Sequence, residues 1–335
     1  MKAVVIERPG TIRVETLDDP VPGPKEIVVE VDACGICGTD IHILEGDLPT
    51  PYPIVPGHEL CGEVAAVGSE VEDASVGDFV AVDPSLPCKE CRYCQMGRGN
   101  LCERGNAIGV TRPGGCGELV AVPAANAFAL PLDMPRPWGT LVEPLSCAVH
   151  GFDRLNARLG SNYLIYGAGT MGVLLLQLAR RAGANEIAIV DVKQGRLPIA
   201  ERLGADRAST SVEEIGRAEG WDVVIDATGV VAAIEDGLKR VARGGKFLMF
   251  GVAPADAKAA FSPFRIYKDE IDVLGSMAVL HSFERARDLL VLGAVDAETM
   301  ITHRLALEDY DKAIEVFRKG EGLKVQVAAR PTAVP

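Results

Sequence analysis

The sequence predicts an α/β protein: a β-rich, partly open barrel-like domain and a doubly wound parallel-sheet domain. Three observations predict this. Short strands punctuated by Gly and Pro fill the chain to about residue 130. From about residue 146, strands alternate with helical segments. A glycine-rich turn then stands between the first of these later strands and a leucine-rich helix. The 335 residues suffice for two domains, each with its own core.

Taken in order, Val4–Glu7 and Thr11–Glu15 flank a Pro9-Gly10 turn and read as a hairpin. The Pro-rich stretch 20–24 leads into a strand over Glu26–Val31. Further short strands are expected at 62–68, 78–82 and 117–122. In the second half, strands are expected at 163–166, 187–190, 222–226, 246–250 and 271–274, with helical segments between them. Two amphipathic helices close the chain, near 283–292 and 308–318. The second opens on Glu308 and Asp309 and ends on Arg318 and Lys319, as the helix dipole favours.

Composition narrows the partners. A net charge of −13 with no basic block argues against a nucleic-acid backbone and suits a neutral or weakly cationic small molecule. No apolar run reaches membrane-spanning length. The opening MKAVVIERPG has neither a long apolar core nor a cleavage site, so the expected setting is cytoplasmic. In such a chain, nine cysteines bind metal or stay free rather than form disulfides.

Residues 163–191 carry a nucleotide-binding pattern. The strand Tyr163–Tyr166 runs into Gly167-Ala168-Gly169-Thr170-Met171-Gly172, a helix follows to Gly183, and a second strand ends on Asp191. Glycines after a strand, opening a helix, with an acid about twenty residues on, form the dinucleotide (Rossmann) fingerprint in its required context. Gly167 serves the tight turn, Gly169 the approach of the pyrophosphate, and Gly172 close helix packing. Asp191 is suited to accept ribose hydroxyls and repel a 2′-phosphate, which favours NAD over NADP; Lys193 and Arg196 weigh slightly the other way.

Two constellations read as metal sites. Cys88, Cys91, Cys94 and Cys102 are spaced C-x2-C-x2-C-x7-C in a polar loop, and four such thiolates close a tetrahedral structural zinc site. An iron–sulfur cluster uses the same ligands, but nothing else in the chain points to electron transfer. The second set comes from GICGTDIH (35–42), PGHELCGE (56–63) and LVEPLSCAVH (141–150). Cys37, His58, Glu59 and Glu143 are mixed sulfur, nitrogen and oxygen donors, which suit a catalytic zinc with an exchangeable position.

On GICGTDIH, PGHE, VGDFVAV, the four-cysteine lobe, EPLSCAVHG, GAGTMG and LGAD, the sequence resembles the zinc-dependent medium-chain dehydrogenases, essentially end to end. It looks closest to their polyol branch of sorbitol, xylitol and arabinitol dehydrogenases and to their threonine dehydrogenase relatives. The resemblance implies a catalytic domain over 1–145 completed by 282–335, a nucleotide-binding domain over 146–281, and two zinc ions per subunit. It implies Cys37 and His58 as catalytic zinc ligands, with Glu59 or Glu143 as the third. It also implies a proton relay through Thr39 and His42, and Asp40 orienting a ligand. Ala227, Thr228, Gly229, Gly251, Val252 and Ser276 would complete the nucleotide site. The implied reaction is transfer of hydride from a secondary alcohol to NAD. A threonine-type amino-alcohol dehydrogenase and a catalytically silent nucleotide sensor are the alternatives. A homo-oligomer, tetramer or dimer, is expected. The chain departs from the family at Leu60-Cys61 and at Gly114-Gly115-Cys116-Gly117-Glu118-Leu119. Cys61 and Cys116 in these segments, and Cys147 elsewhere, are expected to act as buried small hydrophobes.

Overall fold

The computed structural model describes residues 1–329. Residues 330–335, placed in the catalytic domain from the sequence, lie outside the described residues. The chain divides into two compact units. The first takes Met1–Ser146, Val279–Gly293 and the chain from Ala297 onwards; the second takes Cys147–Ala278 and Ala294–Asp296.

In the first unit the hairpin pairs Lys2–Arg8 with Thr11–Thr16. Its main sheet has seven strands organised on the ten-residue strand Glu26–Gly35. This strand runs antiparallel to Glu59–Val67 over nearly its whole length. It also pairs with Leu119–Pro123 through Glu26–Glu30, and with Lys324–Ala328 through Cys34 and Gly35. The strand is long because EIVVEVDACG carries a nearly continuous buried apolar series: Ile27, Val28, Val29, Val31, Ala33 and Cys34. The unit's core gathers Ile27, Val29, Val31 and Cys34 with Ile6, Ile36, Ile43, Val64 and Val120, and with Leu307, Tyr310 and Val325 from the chain's end. A strand almost 300 residues downstream thus completes a sheet begun at residue 26.

The second unit is a six-stranded parallel sheet. In the unit's own chain order its strands lie 3-2-1-4-5-6, the doubly wound dinucleotide-binding order. The central strands NYLIY, EIAIV and WDVVID are buried on both faces, as parallel strands covered by helices must be.

Local expectations shift: the strand expected at 62–68 spans Glu59–Val67, and the one expected over Glu26–Val31 runs on to Gly35. The strand expected at 246–250 begins earlier, at Val241, and ends at Met249. The last helix spans Tyr310–Lys319, with Glu308 and Asp309 in a preceding 3-10 turn. Cys61 and Cys116 are fully buried as expected, whereas Cys147 is only half-buried.

Candidate active site and metal centres

In the first unit, strand register assembles the candidate catalytic set. Gly35 pairs with Glu59 across antiparallel strands, so the residues just beyond each strand end, Cys37 and His58, meet. Cys37 caps the helix Gly38–Glu45, and its backbone N–H donates to Asp40 Oδ2 at 2.8 Å. Its sulfur therefore sits at a helix N-terminus, a place that favours negative charge. Donor atoms of Cys37, His58 and Glu59 all lie within 4.8 Å of one another. Glu143 sits in the first turn of the helix Val142–Leu155 and acts electrostatically on His58.

The electrostatics call for a cation. Burial alone would depress His58, but Cys37, Asp40 and Glu143 outweigh it and hold its pKa well above the usual 6.5. Burial pushes the Asp40 carboxyl up. His58 Nδ1 and Asp40 Oδ1 are both buried and have no hydrogen-bond partner among the described residues. Such a dry, negatively charged pocket of S, N and O donors fits a zinc ion that keeps an open position. Thr39 Oγ1 lies 3.9 Å from Cys37 Sγ. On the next turn of the same helix, half-exposed His42 places Nδ1 3.4 Å from Asp47 Oδ2.

One participant escaped sequence reasoning. Lys324 is 2% exposed, and its ammonium donates to Glu59 Oε2 at 2.5 Å and to the Ile36 carbonyl at 3.3 Å. The available signal was a lysine inside the apolar strand KVQVA.

The four-cysteine lobe has the dimensions of a closed site. Cys91 Sγ lies 3.6 Å from Cys94 Sγ and 3.9 Å from Cys102 Sγ. A tetrahedron with Zn–S bonds of about 2.3 Å has edges of about 3.8 Å. The backbone N–H groups of Glu90 and Cys91 hold the Cys88 thiol down to about 6. Burial and the neighbouring sulfurs push Cys94 the other way. Four thiolates this close cannot all ionise without a divalent cation among them.

In the second unit the glycine turn has the expected geometry. Gly167 has φ +98°, which an L side chain rarely adopts, and a Cβ on Gly172 would lie 1.7 Å from the Gly167 carbonyl oxygen. Thr170 and Met171 open the helix Thr170–Arg181 behind the cap residue Gly169. Above Gly169 the space is open apart from Arg196. Asp191 is only 7% exposed and already bound: Oδ2 accepts from Ala168 N (2.7 Å) and Arg196 (3.3 Å), and Oδ1 from Lys193 N (2.8 Å). It thus also anchors the turn it serves.

Ala227, Thr228 and Gly229 follow the strand Trp221–Asp226, and Gly251 and Val252 the strand Val241–Met249. A Cβ on Gly251 would lie 2.1 Å from Gly229 N, so the two turns touch backbone to backbone. Asp226, overlooked in the sequence, is fully buried and ties this turn through Thr228 N and Gly229 N at 3.0 Å each. Its pattern, an acid closing an apolar strand, is the one that flagged Asp191. Ser276 lies just beyond the last strand, with its hydroxyl buried and unpartnered among the described residues.

Residues 23–132 match the alcohol dehydrogenase GroES-like domain, and residues 170–291 match the zinc-binding dehydrogenase family. D-arabinitol dehydrogenase 1 of Uromyces fabae is 36% identical over 98% of this chain and 97% of that protein. The L-threonine 3-dehydrogenase of Rhizobium rhizogenes is 33% identical over 97% of each. Among solved structures, a Sinorhizobium meliloti 1021 protein described as a zinc-binding dehydrogenase and bound to NADP superposes with a TM-score of 0.95. It is 37% identical and covers 98% of both chains. Galactitol-1-phosphate dehydrogenase of Escherichia coli superposes with a TM-score of 0.89 at 29% identity, covering 98% of this chain and all of that one. The chain belongs to the zinc-dependent medium-chain dehydrogenase/reductase superfamily, among its polyol and threonine dehydrogenase relatives.

Proposed function

We propose that the protein is an NAD-dependent zinc dehydrogenase that oxidises a secondary alcohol, a polyol or sugar alcohol, to a ketone. The observation that carries this reading is half-buried Cys37 beside buried His58 and Glu59, with Glu143 acting on His58 and a separate four-cysteine site elsewhere in the unit. A bound zinc supplies Lewis acidity toward the substrate oxygen, and the dinucleotide supplies the hydride acceptor. The chain supplies the rest. Cys37, His58 and either Glu59 or Glu143 hold the metal, and Asp40 orients Cys37 by accepting its backbone N–H. Thr39 receives the hydroxyl proton and His42, which reaches solvent, passes it on. The amides of the glycine turn and helix N-terminus hold the pyrophosphate, and Asp191 the ribose. Ala227, Thr228, Gly229, Gly251, Val252 and Ser276 line the remainder of the dinucleotide site.

Support for NAD is the buried Asp191 carboxylate, whose charge opposes a 2′-phosphate; Arg196 neutralises part of it, and one structural relative holds NADP. A polyol is favoured by the acid at position 143 and by the arabinitol dehydrogenase likeness; the threonine dehydrogenase likenesses make an amino alcohol the second reading. Free thiols at both metal sites suit a reducing compartment such as the cytoplasm. The test is NADH formation with sugar alcohols, threonine and simple alcohols, with and without a zinc chelator, beside Cys37→Ala. Turnover of a polyol lost on chelation and in the variant bears the reading out. Chelator-resistant turnover would sink it, and silence across the panel with NAD and zinc bound would favour a sensor.

A further inference from the structure

We propose that Gln326 is a positioning residue: it fixes the turn that leads into the Glu143 helix and so sets where the Glu143 carboxylate stands in the metal pocket. The inference rests on the zinc-dehydrogenase reading and holds whichever acid coordinates the metal.

The turn is Arg136–Leu141, a 3-10 segment that continues without a break into the helix Val142–Leu155. Pro137 within it has no N–H to give, so the turn is short of internal hydrogen bonds. Two buried side chains from strands hold it instead. Cys61 Sγ donates to the Arg136 carbonyl at 3.1 Å, at the start of the turn. Gln326 Nε2 donates to the Pro137 carbonyl at 2.9 Å and to Thr140 Oγ1 at 2.6 Å, near its end. Thr140 Oγ1 closes the triangle by donating to the same Pro137 carbonyl at 3.1 Å. Gln326 is 1% exposed and Thr140 fully buried, so water does not compete for these bonds.

Spacing carries the anchor to Glu143. Lys324 and Gln326 lie two apart on their strand, on one face and about 6.6 Å from each other along it. Thr140 and Glu143 lie three apart along the turn and helix, a rise of about 5 Å. With Gln326 bonded to Thr140, Lys324 comes level with Glu143, and the Glu143 carboxylate acts electrostatically on it. Glu143 acts likewise on His58. A shift at Thr140 therefore moves the carboxylate against both partners.

Burial by itself gives no reason for an amide here. The strand KVQVA is buried throughout. Gln326 Oε1 is buried with no hydrogen-bond partner among the described residues, and such a group costs stability. Methionine would match the length of the side chain without an orphaned carbonyl oxygen. The amide serves the geometry of the turn.

The test uses full-length protein with cobalt(II) exchanged into the Cys37–His58 site and zinc kept in the four-cysteine site. Visible d–d absorption and cobalt affinity report the pocket without turnover, and the melting temperature reports the fold. Gln326→Met should melt at or above the parent temperature, yet change the spectrum and weaken cobalt binding about tenfold. Thr140→Val should change spectrum and affinity in the same direction, and Thr140→Ser, which keeps the hydroxyl, should match the parent. Glu143→Gln should change both readouts by itself, and the double variant E143Q/Q326M should be no worse than Glu143→Gln. Parent spectrum and affinity in Gln326→Met overturn the proposal, whether or not its melting temperature falls. A full further loss when Gln326→Met is added to Glu143→Gln overturns it too. Thr140→Val decides where Gln326→Met fails to fold. Parent protein that takes up no metal at this site would overturn the dehydrogenase reading itself.

Discussion

Asp191 shows how one side chain carries two duties. Its carboxylate holds the amide of Ala168 and pairs with Arg196, and in the proposed function it also meets the ribose. Asp191→Ser keeps an acceptor and removes the charge. The expected outcome is a fall of about tenfold or more in the preference for NAD over NADP, read as the ratio of kcat/KM values. His42 is the second residue-scale case. Its imidazole has the carboxylates of Asp47 and Glu45 beside it and solvent in reach. His42→Ala should lower kcat about 100-fold at neutral pH with little change in the NAD affinity, and added imidazole should restore part of the rate. Lys324 was not legible as a site residue for a plain reason. Its significance lies in two strand pairings, Gln326 with Gly35 and Gly35 with Glu59, and neither is a local pattern.

Among the elements, the glycine turn and the four-cysteine lobe were readable because each is contiguous in sequence. Spacing and geometry are nearly the same information there. The lobe is also a short segment that a bound metal would hold together. Its helices, Arg92–Gln95 and Gly99–Leu101, contain no buried residue of their own elements, so it has little core to fold around. Cys94→Ser should halve the bound zinc and open residues 88–102 to proteolysis while the rest of the chain resists, checked by metal analysis and limited digestion. A different element is held by charge. Asp236 accepts from Tyr166 Oη at 2.6 Å and from Arg240 at 2.7 Å, tying the helix Val231–Arg240 to the strand Asn162–Tyr166. Burial pushes its carboxyl up, but Arg240 and Tyr166 outweigh that and hold it below the ordinary 3.8. A depressed acid stabilises the fold above its unfolded pKa, and that contribution is lost as pH falls through the folded value. Asp236→Asn should therefore cost about 1 kcal/mol at pH 7. The difference from the parent should shrink below pH 3.8, measured by urea unfolding across pH.

At the scale of the whole molecule, the second unit leaves Phe261, Phe264 and Tyr267 at least half exposed, and Met277 with them. Lone apolar residues on a surface are ordinary, but aromatic side chains gathered within seven positions of one segment fit a subunit contact. We expect a homo-oligomer, and the paired substitution Phe264→Glu with Tyr267→Glu should reduce the particle mass seen by light scattering. The sequence alone determined the Rossmann-like unit, the clustering of the four cysteines, the meeting of Cys37 with His58 and the family. Each rests on short motifs whose local spacing dictates local geometry. It also marked the acidic charge that disfavours nucleic acid. Only the tertiary structure decided that the chain's end supplies a buried lysine to the metal pocket, that Asp226 locks a nucleotide-site turn, and that Glu59 is already paired. Those facts depend on which distant strands lie side by side. Strand register is set by the burial of whole apolar faces, which no single stretch of sequence contains.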